Sequence, residues 1–244
     1  MLRVGLVMLA VVFTADVALA QWGPPGYGRS PYRQGPPSGL FSLFDWDDDD
    51  WPRRSGPRFQ SGGERPSIAR IEPKRVAFPS SYPVGGVVID HKGRQLFFVE
   101  SSSEALRYPV SVGREGFNWA GSEKISRMAD WPDWHPPEEM RDRDPSLPEK
   151  MSGGIRNPLG AKALYLGNSL YRIHGTNDAR SIGRAASSGC FRMLNGHVVD
   201  LASRVEVGTV VTVVRSLPPH LERIVAEQIG QGGERVGTRS GRSS

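Results

Sequence analysis

The rhythm of apolar and polar positions changes several times along the chain, and each change marks a boundary. Met1-Leu2-Arg3 leads into a short apolar run from Val4 to Phe13, and Ala18-Leu19-Ala20 precedes Gln21. A basic start, a short apolar core and an A-x-A site are the parts of a cleaved secretory signal, expected over residues 1–20. The run is too short to span a bilayer, so no transmembrane segment is expected in the mature chain. No cysteine follows the cleavage site, which argues against a lipid anchor.

Strand patterns begin near Val76. Val87-Val88-Ile89-Asp90 and Gln95-Leu96-Phe97-Phe98-Val99 flank His91-Lys92-Gly93-Arg94 and predict a hairpin with glycine at the turn. Leu106, Tyr108, Val110 and Val112 alternate as in a half-buried strand. Ala163 to Leu166 and Leu170 to Ile173 flank Gly167-Asn168-Ser169, a second hairpin, and Thr209 to Val214 is a final β-branched run. Helical spacing is read at Leu194, Val198, Leu201 and Val205, with Asn195 as candidate N-cap. The expected fold is therefore mainly β, with one short helix over residues 76–216. Leu221, Ile224, Val225 and Ile229 predict a further helix in residues 217–244, followed by a disordered basic tail.

Composition sharpens the ends. The chain has 244 residues, with 29 Gly and 20 Pro, about a fifth of the total against a usual ~12%. Much of this excess lies in residues 21–75, which are expected to form a flexible linker because they bury too little apolar surface to offset ordering entropy. Leu40 to Phe44, with Trp46 and Trp51, is an apolar exception inside it. A second Pro-rich, aromatic stretch starts at Trp131-Pro132-Asp133-Trp134 and runs to Asn157-Pro158; its length predicts a lid loop, with Trp131 and Trp134 facing a ligand. The net charge of +5 is a weak guide to partners. No basic array with interleaved aromatics is present, so nucleic acid is not expected as a partner.

One cysteine excludes an intramolecular disulfide and a Cys-rich metal site. Cys190 stands in Ser187-Ser188-Gly189-Cys190-Phe191-Arg192, just ahead of the predicted helix, and His174 closes a predicted strand. A thiol attacks as thiolate, which a neighbouring imidazole and a helix N-terminus both favour. Gly189 lets the backbone turn so that consecutive N–H groups can face an oxyanion. His91, His135, His197 and His220 show no ligand spacing, so no metal and no cofactor is expected, and His197 is expected to be exposed.

The stretch His174-Gly175-Thr176-Asn177, Ser181-Ile182-Gly183 and Ser187-Ser188-Gly189-Cys190-Phe191-Arg192-Met193 resembles the signature of the YkuD-type L,D-transpeptidases, bacterial enzymes that remodel peptidoglycan. That signature is H-G-T-N followed by S-x-G-C-hydrophobic-R-[ML], with the His sixteen residues before the Cys, as here. The similarity extends over roughly Val84 to Val214. It implies the mixed, β-sandwich-like catalytic fold of that family with a long lid loop.

By this resemblance Cys190 is the nucleophile and His174 its base. The carbonyl of Gly175 orients the imidazole, and the N–H groups of Gly189 and Cys190 receive the oxyanion. Arg192 braces the loop or meets a substrate carboxylate, with bracing favoured, and Ser187 helps to hold the loop. Asn177 and Ser188 fall on the substrate side. Many members read S-H-G-C where this chain has Ser188, which singles out His174 as the local base. A T-P-x-G segment common in the family is replaced by Val112 to Trp119.

The implied reaction is acyl transfer. Cys190 attacks position 3 of a peptidoglycan tetrapeptide stem and expels D-Ala. An amine of a second stem then resolves the thioester as a 3→3 cross-link, or an outer-membrane protein or lipoprotein takes the acyl group. The implied setting is the periplasm or cell envelope. Water as acceptor would give an L,D-carboxypeptidase. A sortase-like thiol acyltransferase and a non-catalytic wall-binding module are the other readings.

Overall fold

Alternation along the strands decides which side of the sheet is dry. In the computed structural model, residues 56–114, 119–187 and 189–237 are described. The expected secretory signal, the Leu40–Trp51 cluster, most of the expected linker, Ser188 and the end of the basic tail lie outside the described residues.

Thirteen strands, three α-helices and a 3-10 helix (Ala179–Ser181) are assigned among the described residues. In chain order the first are β1 (Phe59–Gln60), β2 (Lys74–Ala77), β3 (Val87–Asp90), β4 (Gln95–Val99), β5 (Glu104–Pro109), β6 (Val112–Gly113) and β7 (Gly121–Asp130). Then come α1 (Glu138–Arg143), β8 (Lys150–Met151), β9 (Lys162–Leu166), β10 (Arg172–His174), β11 (Ala185–Ser187) and β12 (Phe191–Arg192). The chain closes with α2 (Asn195–Ala202), β13 (Val210–Val214) and α3 (Pro219–Gly237). Nine strands form one mixed sheet in the order β12-β10-β9-β7-β13-β3-β4-β5-β2. The mostly β architecture with few short helices agrees with the sequence expectation.

Each face of this sheet carries its own core. Val87 and Ile89 of β3, Leu96 of β4, and Leu106 and Tyr108 of β5 join Leu164, Ile173, Phe191, Val211 and Val213 on one face. Val198 and Leu201 of α2 pack into that cluster. The intervening residues Val88, Phe97, Val99 and Ala105 face the other way, onto Leu217 and onto Leu221 and Val225 of α3. Period-two alternation between two buried faces explains why β3 and β4 read as unbroken apolar runs. Both predicted hairpins form, although the left-handed residue in the first turn is Arg94 (φ 54).

Strand β7 was not legible. Its sequence Gly-Ser-Glu-Lys-Ile-Ser-Arg-Met-Ala-Asp shows no clean alternation, because only Ile125 is buried and the remainder faces solvent or is half-covered. It nonetheless lies in mid-sheet, antiparallel to both β9 and β13. Long strands with one wet face give weak apolar signals.

The stretch expected as a lid carries α1 and β8, and residues expected as linker run beside it. β1 pairs with β8, and Ser152 N–H donates to the Gln60 carbonyl at 3.0 Å. Ile155 and Arg156 N–H groups donate to the carbonyls of Glu64 and Gly62. Residues 56–65 are therefore a strap on the 145–156 segment, so the described part of the expected linker is held by backbone hydrogen bonds. Local Gly/Pro content hid this, since the strap is held by backbone hydrogen bonds, which composition does not report.

Asn157 fixes the inside of the same segment. Fully buried, its Nδ2 faces the carbonyls of Pro132, Met151 and Ser152 at 3.0–3.3 Å, and its Oδ1 accepts from Leu159 N–H at 2.8 Å. Replacing it by Ala leaves a buried N–H and three carbonyls without this partner, so Asn157→Ala is expected to cost about 1–3 kcal/mol. A fall in Tm together with faster proteolysis between residues 131 and 156 is the expected readout; unchanged values for both would contradict it.

Helix α2 begins at Asn195 with Leu194 in the capping position and no side-chain cap, so Asn195 is not the expected N-cap. His197, expected exposed, is buried with its ring edge against Tyr108. Its neighbour Asp200 accepts from Tyr108 Oη at 2.8 Å and from Arg204 Nε at 2.9 Å, which anchors α2 to β5. The helical repeat placed His197 on the wrong side because it counts hydrophobes, and here one buried stripe is partly polar.

Candidate active site

Strands β10 and β12 bring the two halves of the motif together. They run parallel, with Ile173 opposite Phe191 and His174 opposite Arg192. Arg172 and Cys190 each stand one residue ahead of the first of these pairs. Ile173 and Phe191 turn into the core, so Arg172, His174, Cys190 and Arg192 share the opposite face. Met193 N–H donates to the His174 carbonyl at 2.8 Å and closes the pairing.

His174 is buried, and its Nδ1 lies 2.6 Å from the Gly175 carbonyl oxygen. A carbonyl only accepts, so Nδ1 carries the proton and Nε2 has a free lone pair. Burial holds the imidazolium well below its usual range, to about 3, against the favourable pull of the Gly175 carbonyl. Arg192 and Arg172 push the same way as burial, while the Leu159 backbone opposes them. The ring is therefore a neutral, oriented base near neutral pH.

The Cys190 thiol donates to the Leu170 carbonyl at 3.7 Å, and no hydrogen bond joins it to His174. Burial pushes the thiol up, partly offset by Arg172 and then Arg192. At rest the thiol is protonated and lies on the Leu170 carbonyl, and the imidazole is neutral.

The loop ahead of the cysteine is held by Ser187. Its hydroxyl donates to the Cys190 carbonyl and accepts from Gly189 N–H at 3.2 Å. β11 pairs with β6, and Arg114 N–H donates to the Ser187 carbonyl. Gly189 has φ 112, a left-handed value that a side chain resists. Its N–H, expected to face an oxyanion, is instead occupied by Ser187, which leaves Cys190 N–H as the other donor of the expected pair.

Asn195 is the residue the sequence misassigned. From the start of α2 its Oδ1 accepts from Ala161 N–H at 3.0 Å and Thr176 N–H at 3.1 Å, tying β9 to the loop after His174. A Cβ at Gly175 or Gly160 would strike that same oxygen, which accounts for both glycines. Asn177, expected beside substrate, donates from Nδ2 to the Arg156 carbonyl at 2.8 Å and so links this loop to the strapped segment.

The remaining expected residues are placed as follows. Arg192 is half-buried, and its guanidinium has no hydrogen-bond partner among the described residues, so the favoured bracing role is not seen; its effect here is charge on His174 and Cys190. Trp131 sits at φ 43 with its N–H on the Ala161 carbonyl, and the Trp134 backbone pairs with Met151; both indoles are half-buried. Arg172 was missed, because an arginine in a strand reads as an exposed residue. Leu170, next to the thiol, is 63% exposed. A cavity of about 410 Å³ lined by Asp178, Arg180, Ser181, Arg184 and Ala186 opens on the loop between His174 and Cys190.

The family model for the L,D-transpeptidase catalytic domain, YkuD, matches residues 85–213. The chain belongs to that family. It is 33% identical over 150 residues to the Escherichia coli protein described as probable L,D-transpeptidase ErfK/SrfK, covering 58% of this chain and 47% of that one. It is 52% identical over 127 residues to the YkuD protein of Bacillus licheniformis, covering 52% and 64% respectively. A solved Brucella melitensis chain described as a probable carnitine operon oxidoreductase is 43% identical, with a TM-score of 0.41, over 58% of this chain and 92% of that one. The chain spans about half the length of the Escherichia coli relative.

Proposed function

We propose that this chain is an exported, cysteine-dependent L,D-transpeptidase acting on the tetrapeptide stems of peptidoglycan. The observation that supports this most is the pinned imidazole: Nδ1–H is committed to the Gly175 carbonyl, which leaves Nε2 as the acceptor, on a strand paired with the one that follows Cys190. Membership of the L,D-transpeptidase catalytic-domain family supports reading the substrate as a peptidoglycan stem.

In the proposed reaction Nε2 takes the thiol proton as Sγ bonds to the carbonyl of the third stem residue. Charge on the carbonyl oxygen is met by Cys190 N–H. Collapse expels D-Ala, which leaves with the proton held by His174. An amine then attacks the thioester, loses its proton to Nε2, and releases the thiol. A second stem as acceptor gives a 3→3 cross-link; an envelope protein as acceptor gives a wall-anchored product.

Sacculi rich in tetrapeptide stems, incubated with the purified chain and digested to muropeptides, test this. Dimers joined 3→3 with loss of D-Ala are expected. Tripeptides alone would assign water as the acceptor. Unchanged muropeptides, with the protein still pelleting on sacculi, would overturn the enzyme reading in favour of a wall-binding module.

A further inference from the structure

The face that holds Cys190 carries a guanidinium that the motif does not include. β10 and β12 pair Ile173 with Phe191, and Arg172 and Cys190 each stand one residue ahead of that pair. The two side chains also converge on one acceptor. Arg172 Nε and a terminal nitrogen of its guanidinium donate to the Leu170 carbonyl at 3.3 and 3.2 Å, and Cys190 Sγ reaches the same oxygen at 3.7 Å. Behind Arg172, the Tyr165 ring lies 5.5 Å from its guanidinium carbon, and Arg127 stacks on that ring at 3.7 Å. The guanidinium is thus held from two sides at the thiol.

The rest of the site leaves it a task. His174 is neutral at rest, so no imidazolium stands beside the sulfur before the proton moves. The groups facing the thiol are Arg172 and His174 from β10, Arg192 from β12 and Leu170 from the hairpin turn, with Tyr165 of β9 behind Arg172. The two arginines are the fixed charges in that set, and Arg172 is the one that shares the Leu170 carbonyl with the sulfur.

We propose that Arg172 is the cation that stabilises the Cys190 thiolate, and so acts on the nucleophile beside the base His174. This rests on the reading of Cys190 as nucleophile and adds a residue to it. Arg172 neither gains nor loses a proton. As the S–H bond breaks its proton passes to Nε2, and the guanidinium meets the charge left on sulfur until the S–C bond forms. Arg172 also favours the thiolate through its own backbone N–H, which any replacement retains.

Alkylation by iodoacetamide tests this without any peptidoglycan substrate. Cys190 is the chain's one cysteine, so the rate reports that thiol alone. Removing an adjacent opposite charge is expected to raise the midpoint of the rate–pH profile in Arg172→Gln by about one pH unit or more, about tenfold in rate at neutral pH. Arg172→Lys should recover most of that loss. Arg172→Met serves if the Gln variant does not fold, and equal Tm values for Lys and neutral variants exclude a packing effect. A profile in the neutral variant that overlays the wild type overturns the proposal. Because no stem peptide is used, that failure is separable from inactivity on sacculi.

Discussion

His174→Gln is expected to slow acylation of Cys190 by a carbapenem about 100-fold or more, the usual scale for removing a general base. In wild type, intact mass should show one covalent equivalent per chain, and Cys190→Ala should show none. The prediction is sharp because the neighbourhood offers no substitute. Arg172 and Arg192 do not accept protons, and the Tyr165 ring lies on the far side of Arg172. Gln at position 174 has no basic nitrogen and so tests loss of the base; because its amide matches Nε2 rather than the anchored Nδ1, His174→Asn, whose Nδ2 matches Nδ1, should show the same loss with the Gly175 anchor retained. Near-wild-type acylation would mean that another group takes the thiol proton.

The same residue fixes the shape of the pH profile. With its folded value near 3, His174 is already unprotonated at pH 5, so acylation should show no rising limb at the ordinary imidazole value of about 6.5. The rise should come instead on the alkaline side, because burial places the thiol above its usual range. Stability carries the opposite consequence. The unfolded chain binds a proton at His174 below about pH 6.5 that the folded chain refuses until about pH 3, so stability is complete above 6.5 and falls as pH drops through that window. His91 and His197, also held low by burial, act in the same direction. His174→Gln should flatten part of that decline in urea unfolding followed between pH 6.5 and 4.5. A slope identical to wild type would show that the ring is not buried as a neutral group.

What the chain announces and what it conceals divide along physical lines. The hairpins around Gly93 and Gly167 were readable because both flanks alternate and the turns need particular residues. The two motif halves were readable because Cys190 and His174 are chemically rare in their positions. Strand β7 was hidden because only Ile125 among its ten residues is buried, and its place in mid-sheet comes from backbone pairing on both edges. The strap of residues 56–65 was hidden for the same reason. Arg172 needed the β10–β12 register, which joins positions eighteen residues apart and leaves no trace in local spacing. Asn195 was visible as a residue with a side-chain task near a helix start. Its actual partners, Ala161 and Thr176, lie 34 and 19 residues away, and only the fold identifies them.

Asn195→Ala is expected to lower stability by about 2–6 kcal/mol, because one oxygen satisfies two part-buried backbone N–H groups and each costs about 1–3 kcal/mol when left unpaired. The loss is not confined to stability. Thr176 N–H is one of those donors, and it follows directly on Gly175, whose carbonyl holds the His174 tautomer at 2.6 Å. With the Thr176 anchor gone, the Gly175 carbonyl can drift, Nδ1–H loses its fixed partner, and Nε2 is presented to the thiol less often. Acylation should therefore fall at temperatures where the variant is still folded, checked by near-wild-type circular dichroism. Asn195→Asp keeps the accepting oxygen and should recover most of both losses, which a role for the Asn195 amide nitrogen would not allow. If Asn195→Ala melts lower but acylates at the wild-type rate when folded, Asn195 is a brace for β9 alone and the coupling from α2 to the base is absent.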